Sequence, residues 1–274
     1  MNESPEQRAE RIDTLHGVMF APAGDLITQN LQQFSAFTRN ELAMLRDVIL
    51  PGDNILDIGA HIGAFALPLA RFNEGQGRIF AFEPSPESFA WLVQNIRANG
   101  LEQVIIPHQA LVYDRQAAFE RISPDRGNTG ACYYLPAADQ NAPSPEVIQL
   151  DDWHARMHPE LPIALIKIDV EGAEVAVLQS CRHLLERFLP VLYIEVSRQQ
   201  LARFGRTPEA IQALLEPLGY DFFKNIGQRH SHHDFYSMVR LSGLGQGGDF
   251  FDVLAIHASS PRYPTFFQPP APPG

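Results

Sequence analysis

Asp57-Ile58-Gly59-Ala60-His61-Ile62-Gly63 follows directly on a short apolar run beginning at Asn54. Glycine at such a point lets the chain turn tightly and lets a ligand approach main-chain N–H groups at the start of a helix. A dinucleotide fingerprint needs G-x-G-x-x-G to seat a pyrophosphate. Here His61 holds the second glycine position and the later glycine falls one residue early, so the register does not suit NAD. Asp57, just ahead of the turn, repels a pyrophosphate. It suits a ligand that carries an ammonium and a sulfonium, which is the charge pattern of S-adenosylmethionine.

Glu83 closes a second apolar run, Ile79-Phe80-Ala81-Phe82. A carboxylate there can accept hydrogen bonds from both hydroxyls of a ribose. Singly, Gly59 reads as a turn residue, Asp57 as a helix cap and Glu83 as a solvated strand end; jointly they describe an adenosine site. Asp169, Glu171 and Glu174 follow the run Ile163 to Ile168, and Glu195 lies near the end of Val191 to Val196. Asp169 and Glu195 are therefore expected side by side at the cleft, as candidate catalytic groups. A carboxylate there can take the proton of an attacking hydroxyl, hold a substrate, or favour a sulfonium electrostatically. Glu171 and Glu174 read equally well as charges favoured by a helix N-terminus. Two carboxylates at strand ends also fit a divalent cation, but they are a thin basis and no metal is assigned. His230, His232 and His233 lack helical ligand spacing and read as an exposed loop, in its functional version a lid over the substrate. Asn128, in the turn Gly127 to Gly130, serves as turn former or substrate contact.

These residues need a scaffold, and the pattern supplies one. Thr38 with Glu41 resembles a capping box before a helix carrying Leu42, Leu45, Val48 and Ile49 on one face. A helix is expected from about Gly63, with Pro68 in conflict inside it. Ser85-Pro86 caps another, bearing Phe89, Leu92, Val93 and Ile96 and stopped by Gly100. Val104 to Ile106 forms a third strand. Strand and helix alternate up to here, resume at Ile163, and continue through Val175, Leu178 and Leu185, then Val191, then a helix opened by Thr207-Pro208. Tyr220 to Lys224 and Phe251 to His257 close the sheet as an antiparallel pair. The expected fold is α/β, a doubly wound, mostly parallel seven-stranded Rossmann-like sheet, with a β-rich insertion at about 114–162 before the fourth core strand. Residues 1–37 form an N-terminal arm, 38–258 the main domain, and 259–274 a proline-rich, mobile tail.

The stretches ILDIGAHIGAFALPLA (55–70), IFAFEPSPESFAWLVQNIRANG (79–100), LIKIDVEGAEVAVLQS (165–180) and VLYIEVS (191–197) resemble the FkbM-type methyltransferases of the class I S-adenosylmethionine-dependent fold. The IDVEGAE segment is the more family-specific piece; DIGAHIG alone indicates only the superfamily. The resemblance covers most of 38–225 and implies that Asp57, Gly59, Ala60 and Gly63 border the methionine part of S-adenosyl-L-methionine. It also implies that Glu83, with Pro84 beside it, binds the ribose and that Ala110 lies near the adenine; Asp169 is placed at the cofactor as well. The implied activity is methylation of a hydroxyl on a sugar or secondary metabolite. A nicotinamide oxidoreductase and a cofactor-binding module without catalysis are the competing readings.

With 21 Lys+Arg against 32 Asp+Glu, the net charge is −11. This disfavours unspecific attraction to nucleic acid or anionic lipid, so a small-molecule acceptor, possibly glycosylated, is the expected partner. Cys132 and Cys181 make no disulfide framework. The polar start, Met1 to Arg11, lacks an apolar leader and no stretch reads as a membrane span; a cytoplasmic location follows as an expectation.

Overall fold

The computed structural model describes residues 9–123 and 129–263. The described chain opens with an antiparallel hairpin, β1 (Ala9–Thr14) and β2 (Gly17–Pro22), and helix α1 (Leu26–Phe34) follows. Two asparagines spaced one helical turn apart stitch this arm to the main body. Asn99 exchanges bonds with Val18 N (3.0 Å) and Val18 O (2.7 Å), and Asn95 does the same with Phe20 N (2.6 Å) and Phe20 O (3.0 Å).

The main body begins with α2 (Arg39–Val48) and alternates thereafter: β3 (Ile55–Ile58), α3 (Ala66–Phe72), β4 (Ile79–Phe82), α4 (Pro86–Ala98) and β5 (Ile105–His108). Thr38 does occupy the cap of α2, but its side chain makes no cap bond. The expected capping box does not form, because Glu41 turns into the core to accept the Tyr193 hydroxyl at 2.7 Å. At α4 the cap works as the sequence suggests: Ser85 accepts from Ser88 N, with proline in the first turn. Pro68 falls in the first turn of α3, where an N–H would have no helical partner, so its conflict disappears.

Residues 110–162 carry two small paired sheets. Strand β6 (Ala110–Val112) runs parallel to β9 (Glu146–Ile148), and β7 (Phe119–Ile122) pairs antiparallel with β8 (Tyr133–Pro136). Helix α5 (Leu150–Met157), which the prolines around it hid, closes the segment by burying Leu150 and Trp153. The alternation then resumes as β10 (Leu165–Ile168), α6 (Glu174–Ser180), α7 (Arg182–Phe188), β11 (Val191–Ser197), α8 (Arg198–Arg203) and α9 (Pro208–Leu215). Three further strands follow among the described residues: β12 (Tyr220–Asn225), β13 (Met238–Leu241) and β14 (Phe250–His257).

The large sheet has eight strands in the order β13-β12-β14-β11-β10-β3-β4-β5. Seven of them are the expected set; the eighth, β13, is added at the edge by pairing antiparallel with β12. Strand β14 runs opposite to its neighbours, antiparallel to both β11 and β12, and β13 shares its direction. The order changes direction between β3 and β10, which carry the chain to opposite sides, and a crevice opens at the carboxyl ends of such neighbours. Strand residues alternate between two cores. Ile55, Ile79 and Leu165 pack on one face with α2, α3 and α4, whereas Leu56, Phe80 and Ile166 pack on the other with α6, α7 and α9.

Of the proline-rich end, residues up to 263 pack back on the body: Arg262 pairs with Asp53, and the Tyr263 hydroxyl donates to Asp221 at 2.7 Å. Residues 264–274 lie outside the described residues, as do Met1–Arg8 and 124–128, which include Gly127 and Asn128.

Candidate active site at the carboxyl edge of the sheet

Parallel pairing sets Asp57 of β3 directly beside Lys167 of β10. Both side chains are enclosed, 0% and 2% exposed, and the Lys167 Nζ lies 3.1 Å from the Asp57 carboxylate. The ammonium also donates to Gly59 O at 3.0 Å, stands 3.6 Å from Asp169, and rests over the Phe65 ring. Burial alone pulls this lysine downward, but the Asp57 and Asp169 carboxylates outweigh it and hold the ammonium above its ordinary value. The cation nearest Asp57 is thus part of the protein. Lys167 was missed in the sequence, although a lysine in the middle of the buried run Leu165–Ile168 demands an acidic partner and Asp57 stands at the matching position of β3.

Gly59 turns the chain with φ +80°, and a Cβ there would lie 1.8 Å from Asp169 O. Gly63, at φ +92°, passes against Leu92 and Leu67, and Ala60 is buried in the core beneath the turn. Asp57, Ala60 and Gly63 therefore shape the turn from behind, whereas Gly59 stands on the cavity wall.

Two cavities meet at this turn. The smaller, about 50 Å³, is lined by Gly59, Glu83, Pro84, Ala110, Tyr134 and Asp169, with the segment Thr129–Tyr134 over it. The larger, about 400 Å³, lies on the other side of the turn between α1, the Arg229 loop and the ends of β10 and β11. Gly59, His61, Gly130, Asp169 and Glu171 border both.

Glu83 directly follows β4, with its carboxylate held by two main-chain donors, Ser85 N at 2.8 Å and His61 N at 2.9 Å. Each oxygen keeps a further lone pair for a ligand hydroxyl. Burial pushes this carboxyl up to about 7, against the pull of those two N–H groups. Its position on the wall of the cavity that Ala110 also lines fits the adenosine half of a nucleoside ligand.

In the larger cavity the carboxylates of Asp169, Glu171 and Glu195 lie within 4.8 Å of one another. That is close enough to share one cation or one proton, and it brings together the two candidate catalytic residues. Glu171 joins them unexpectedly. It is no helix-end charge but sits in a turn with φ +59°, accepting from Gln200 Nε2 at 2.7 Å and facing Arg203 at 3.6 Å. Burial and then Asp169 push it up to about 8. Glu174, by contrast, opens α6 and folds back to accept from Gly172 N at 3.0 Å. Glu195 sits opposite Asp252 in the antiparallel pair, and both, with Glu41, surround Arg229 at 3.5–3.6 Å. Burial, then Asp169 and Asp252, hold Glu195 well above the usual carboxylate range, against the pull of Arg229.

His230 lines the larger cavity with its ring against Phe34 and Phe37, and His232 packs on Phe34. They are aromatic packing partners of α1. Among the described residues the converging ligand atoms are those of Asp169, Glu171 and Glu195, and the histidines are not with them. No described helix is long and apolar enough to cross a membrane.

Comparison with known proteins adds a family to this geometry. Over a 65-residue stretch the chain is 35% identical to a mouse tRNA (guanine(37)-N(1))-methyltransferase, covering 24% of this chain and 12% of the relative. It is 27% identical over 147 residues to methyltransferase 1 of Beauveria bassiana, covering 47% of this chain and 59% of that one. The chain thus spans less than two thirds of the curated relatives it matches. Among solved structures, the methyltransferase FkbM of Methylobacillus flagellatus KT is similar at 17% identity and TM-score 0.44, over 75% of this chain and 44% of that one. The M. jannaschii TYW2 structure, solved in complex with AdoMet, is similar at 13% identity and TM-score 0.46, over 93% and 87%. The sequence model described as the methyltransferase FkbM domain matches residues 57–222, from the aspartate of the glycine turn to the middle of β12. The chain belongs to the FkbM methyltransferase domain family.

Proposed function

We propose that this chain is an S-adenosylmethionine-dependent methyltransferase acting on a hydroxyl of a small-molecule acceptor, of the sugar or secondary-metabolite kind. The observation that carries the reading is the pair of cavities meeting at Gly59, His61 and Asp169, one with a ribose-type acceptor at Glu83 and the other lined by carboxylates. Asp57, Gly59, Ala60 and Gly63 form the turn around the methionine end, Glu83 and Pro84 take the ribose, and Ala110 flanks the base. When bound, the cofactor supplies an electrophilic methyl group on a sulfonium.

The protein's own part is positioning and exclusion of water. A direct displacement needs the acceptor oxygen, the methyl carbon and the sulfur nearly in line, and a wall common to both cavities can hold the two ligands in that order. Asp169 stands on that wall. It is placed to accept the hydroxyl proton or to orient the hydroxyl, with Lys167 at 3.6 Å to balance its charge. Glu195 lines the larger cavity, with a carboxylate oxygen within 4.8 Å of one of Asp169. The apolar rim, Leu26, Ile27, Phe37 and Phe250, suits a nonpolar part of the acceptor. A net charge of −11 favours a neutral or cationic acceptor over a polyanion such as tRNA.

The test is isothermal titration with S-adenosylhomocysteine, followed by turnover with methyl-labelled S-adenosylmethionine and a panel of hydroxylated, aminated and nucleic-acid acceptors. Label transferred to a hydroxyl of a small molecule supports the reading. Binding of NADH in place of S-adenosylhomocysteine would remove its basis, and label transferred only to RNA would remove the acceptor class.

A further inference from the structure

His61 is engaged by two segments remote from it in sequence. Its ring Nε2 lies 2.9 Å from Thr129 Oγ1 in the segment over the smaller cavity. The Thr129 hydroxyl donates at 2.9 Å to Asp25 Oδ2, and Thr129 N donates to the same oxygen at 2.7 Å. Asp25 is itself buried at the cap of α1, where its other oxygen accepts from Ile27 N at 2.9 Å. The direction of this chain fixes a tautomer. The single Thr129 hydroxyl proton is committed to Asp25, so Thr129 Oγ1 can only accept from the ring, and Nε2 must carry hydrogen. Nδ1 is then a bare lone pair. It is buried and meets no hydrogen-bond partner among the described residues, and an unsatisfied buried group of this kind calls for an explanation, a ligand or water being one.

Burial also lowers the imidazole to about 4, with Asp25 and Asp169 raising it and Lys167 lowering it, so the ring is neutral at physiological pH. The backbone at His61 is left-handed, φ +49°, which places the side chain on the wall common to both cavities. An amino-acid ligand lying along the turn 59–63 brings an ammonium that needs acceptors. Asp57 faces Lys167 from beneath the turn, and Glu171 is engaged by Gln200 and Arg203.

We propose that His61 Nδ1 accepts a hydrogen bond from the α-ammonium of the bound cofactor, and that Asp25 and Thr129 act as positioning residues that hold it in the accepting tautomer. The inference rests on the cofactor reading above and goes beyond it, since it ties the N-terminal arm and the insertion to recognition of the amino-acid half of the ligand.

The test separates the two halves of the ligand. Titrations with S-adenosylhomocysteine, which has the ammonium, are compared with 5′-methylthioadenosine, which keeps the adenosine and thioether but lacks the amino acid. His61→Gln preserves an N–H at the Nε2 position and removes the Nδ1 acceptor. It is expected to weaken S-adenosylhomocysteine binding roughly tenfold or more, as for loss of a hydrogen bond to a charged group, and to leave 5′-methylthioadenosine within about twofold. His61→Asn, which tolerates the left-handed backbone and keeps an acceptor near Nδ1, should recover part of the loss. Thr129→Val should show the same selective weakening, to a smaller degree, with the histidine untouched. Equal weakening on both ligands in His61→Gln, or no weakening on either, overturns the proposal while leaving the cofactor reading in place. Failure of the unaltered protein to bind S-adenosylhomocysteine at all would sink both.

Discussion

Lys167 and Asp57 face each other across neighbouring parallel strands at 3.1 Å, with almost no exposure to solvent, directly under the glycine turn. The pair couples the fold to the site, because the same ammonium donates to Gly59 O and neighbours Asp169. Removing one member leaves the other charged and buried, which typically costs 3–5 kcal/mol. Lys167→Met is therefore expected to destabilise the protein by about 3 kcal/mol or more in urea unfolding. Lys167→Met combined with Asp57→Leu removes both charges and should recover a large part of that loss. A double variant no more stable than the single one would show that the pair is not the source.

Gly59 must remain glycine for two separate reasons. Its φ of +80° strains any other residue, and an added Cβ would lie 1.8 Å from the main-chain oxygen of Asp169, which cannot swing aside as a side chain does. Gly59→Ala is expected to force β3 and β10 apart at the site, lowering stability by more than about 1 kcal/mol and weakening S-adenosylhomocysteine binding. Gly24, also at positive φ but with open space around its Cβ position, serves as the control. Gly24→Ala should cost less than Gly59→Ala and leave ligand binding unchanged.

Local patterns announced most of the sheet and its helices because each strand is short, apolar and bounded by a turn, and each helix shows one buried face. Glycine, aspartate and glutamate at strand ends were legible for the same reason: a polar residue directly after a buried run must sit at the rim. What sequence could not give was set by contacts between distant segments. Thr38 and Glu41 have the spacing of a capping box, but the Tyr193 hydroxyl, far along the chain, claims Glu41. Asn95 and Asn99 look like ordinary exposed helix residues until the arm lies over them. The edge strand β13 has a weak, exposed pattern and exists by pairing with β12. Glu171 reads as a helix-end charge, yet a left-handed turn directs it to Gln200 and into the cluster with Asp169 and Glu195. His61 offered only a position in a turn; its tautomer depends on Thr129 and Asp25.

Glu171 makes stability depend on pH in a direction opposite to most surface carboxylates. Its carboxyl rises from an ordinary 4.5 to about 8 on folding, through burial and then Asp169. Between those values the folded state binds more protons than the unfolded one, so the stabilisation is complete below about 4.5 and is lost as pH rises through about 8. Glu171→Gln removes this contribution. The stability difference between the two proteins, measured by urea unfolding across pH 5 to 8, should change in favour of the variant as pH rises, by up to about 1.4 kcal/mol per pH unit. A difference that stays constant over this range would show that Glu171 does not gain a proton on folding.

Glu83 and Asp169 both border the smaller cavity, but only Asp169 also borders the larger one, and that asymmetry predicts a kinetic split. Glu83→Ala removes both carboxylate oxygens that His61 N and Ser85 N orient. It should raise the Kd for S-adenosylhomocysteine by roughly 10–100-fold, on the scale of losing one or two charge-assisted hydrogen bonds. Because that interaction is made before and during methyl transfer alike, kcat at saturating cofactor should change far less. Asp169→Asn keeps the shape and loses the charge that can accept a proton. Its expected effect is a drop in kcat of roughly 10²–10⁴-fold, the usual contribution of a positioned acid or base, with cofactor affinity altered much less. Single-turnover measurements at saturating cofactor distinguish the two. A large loss of cofactor affinity in Asp169→Asn with kcat intact would make that carboxylate a cofactor anchor, and the acceptor proton would have to leave by another route.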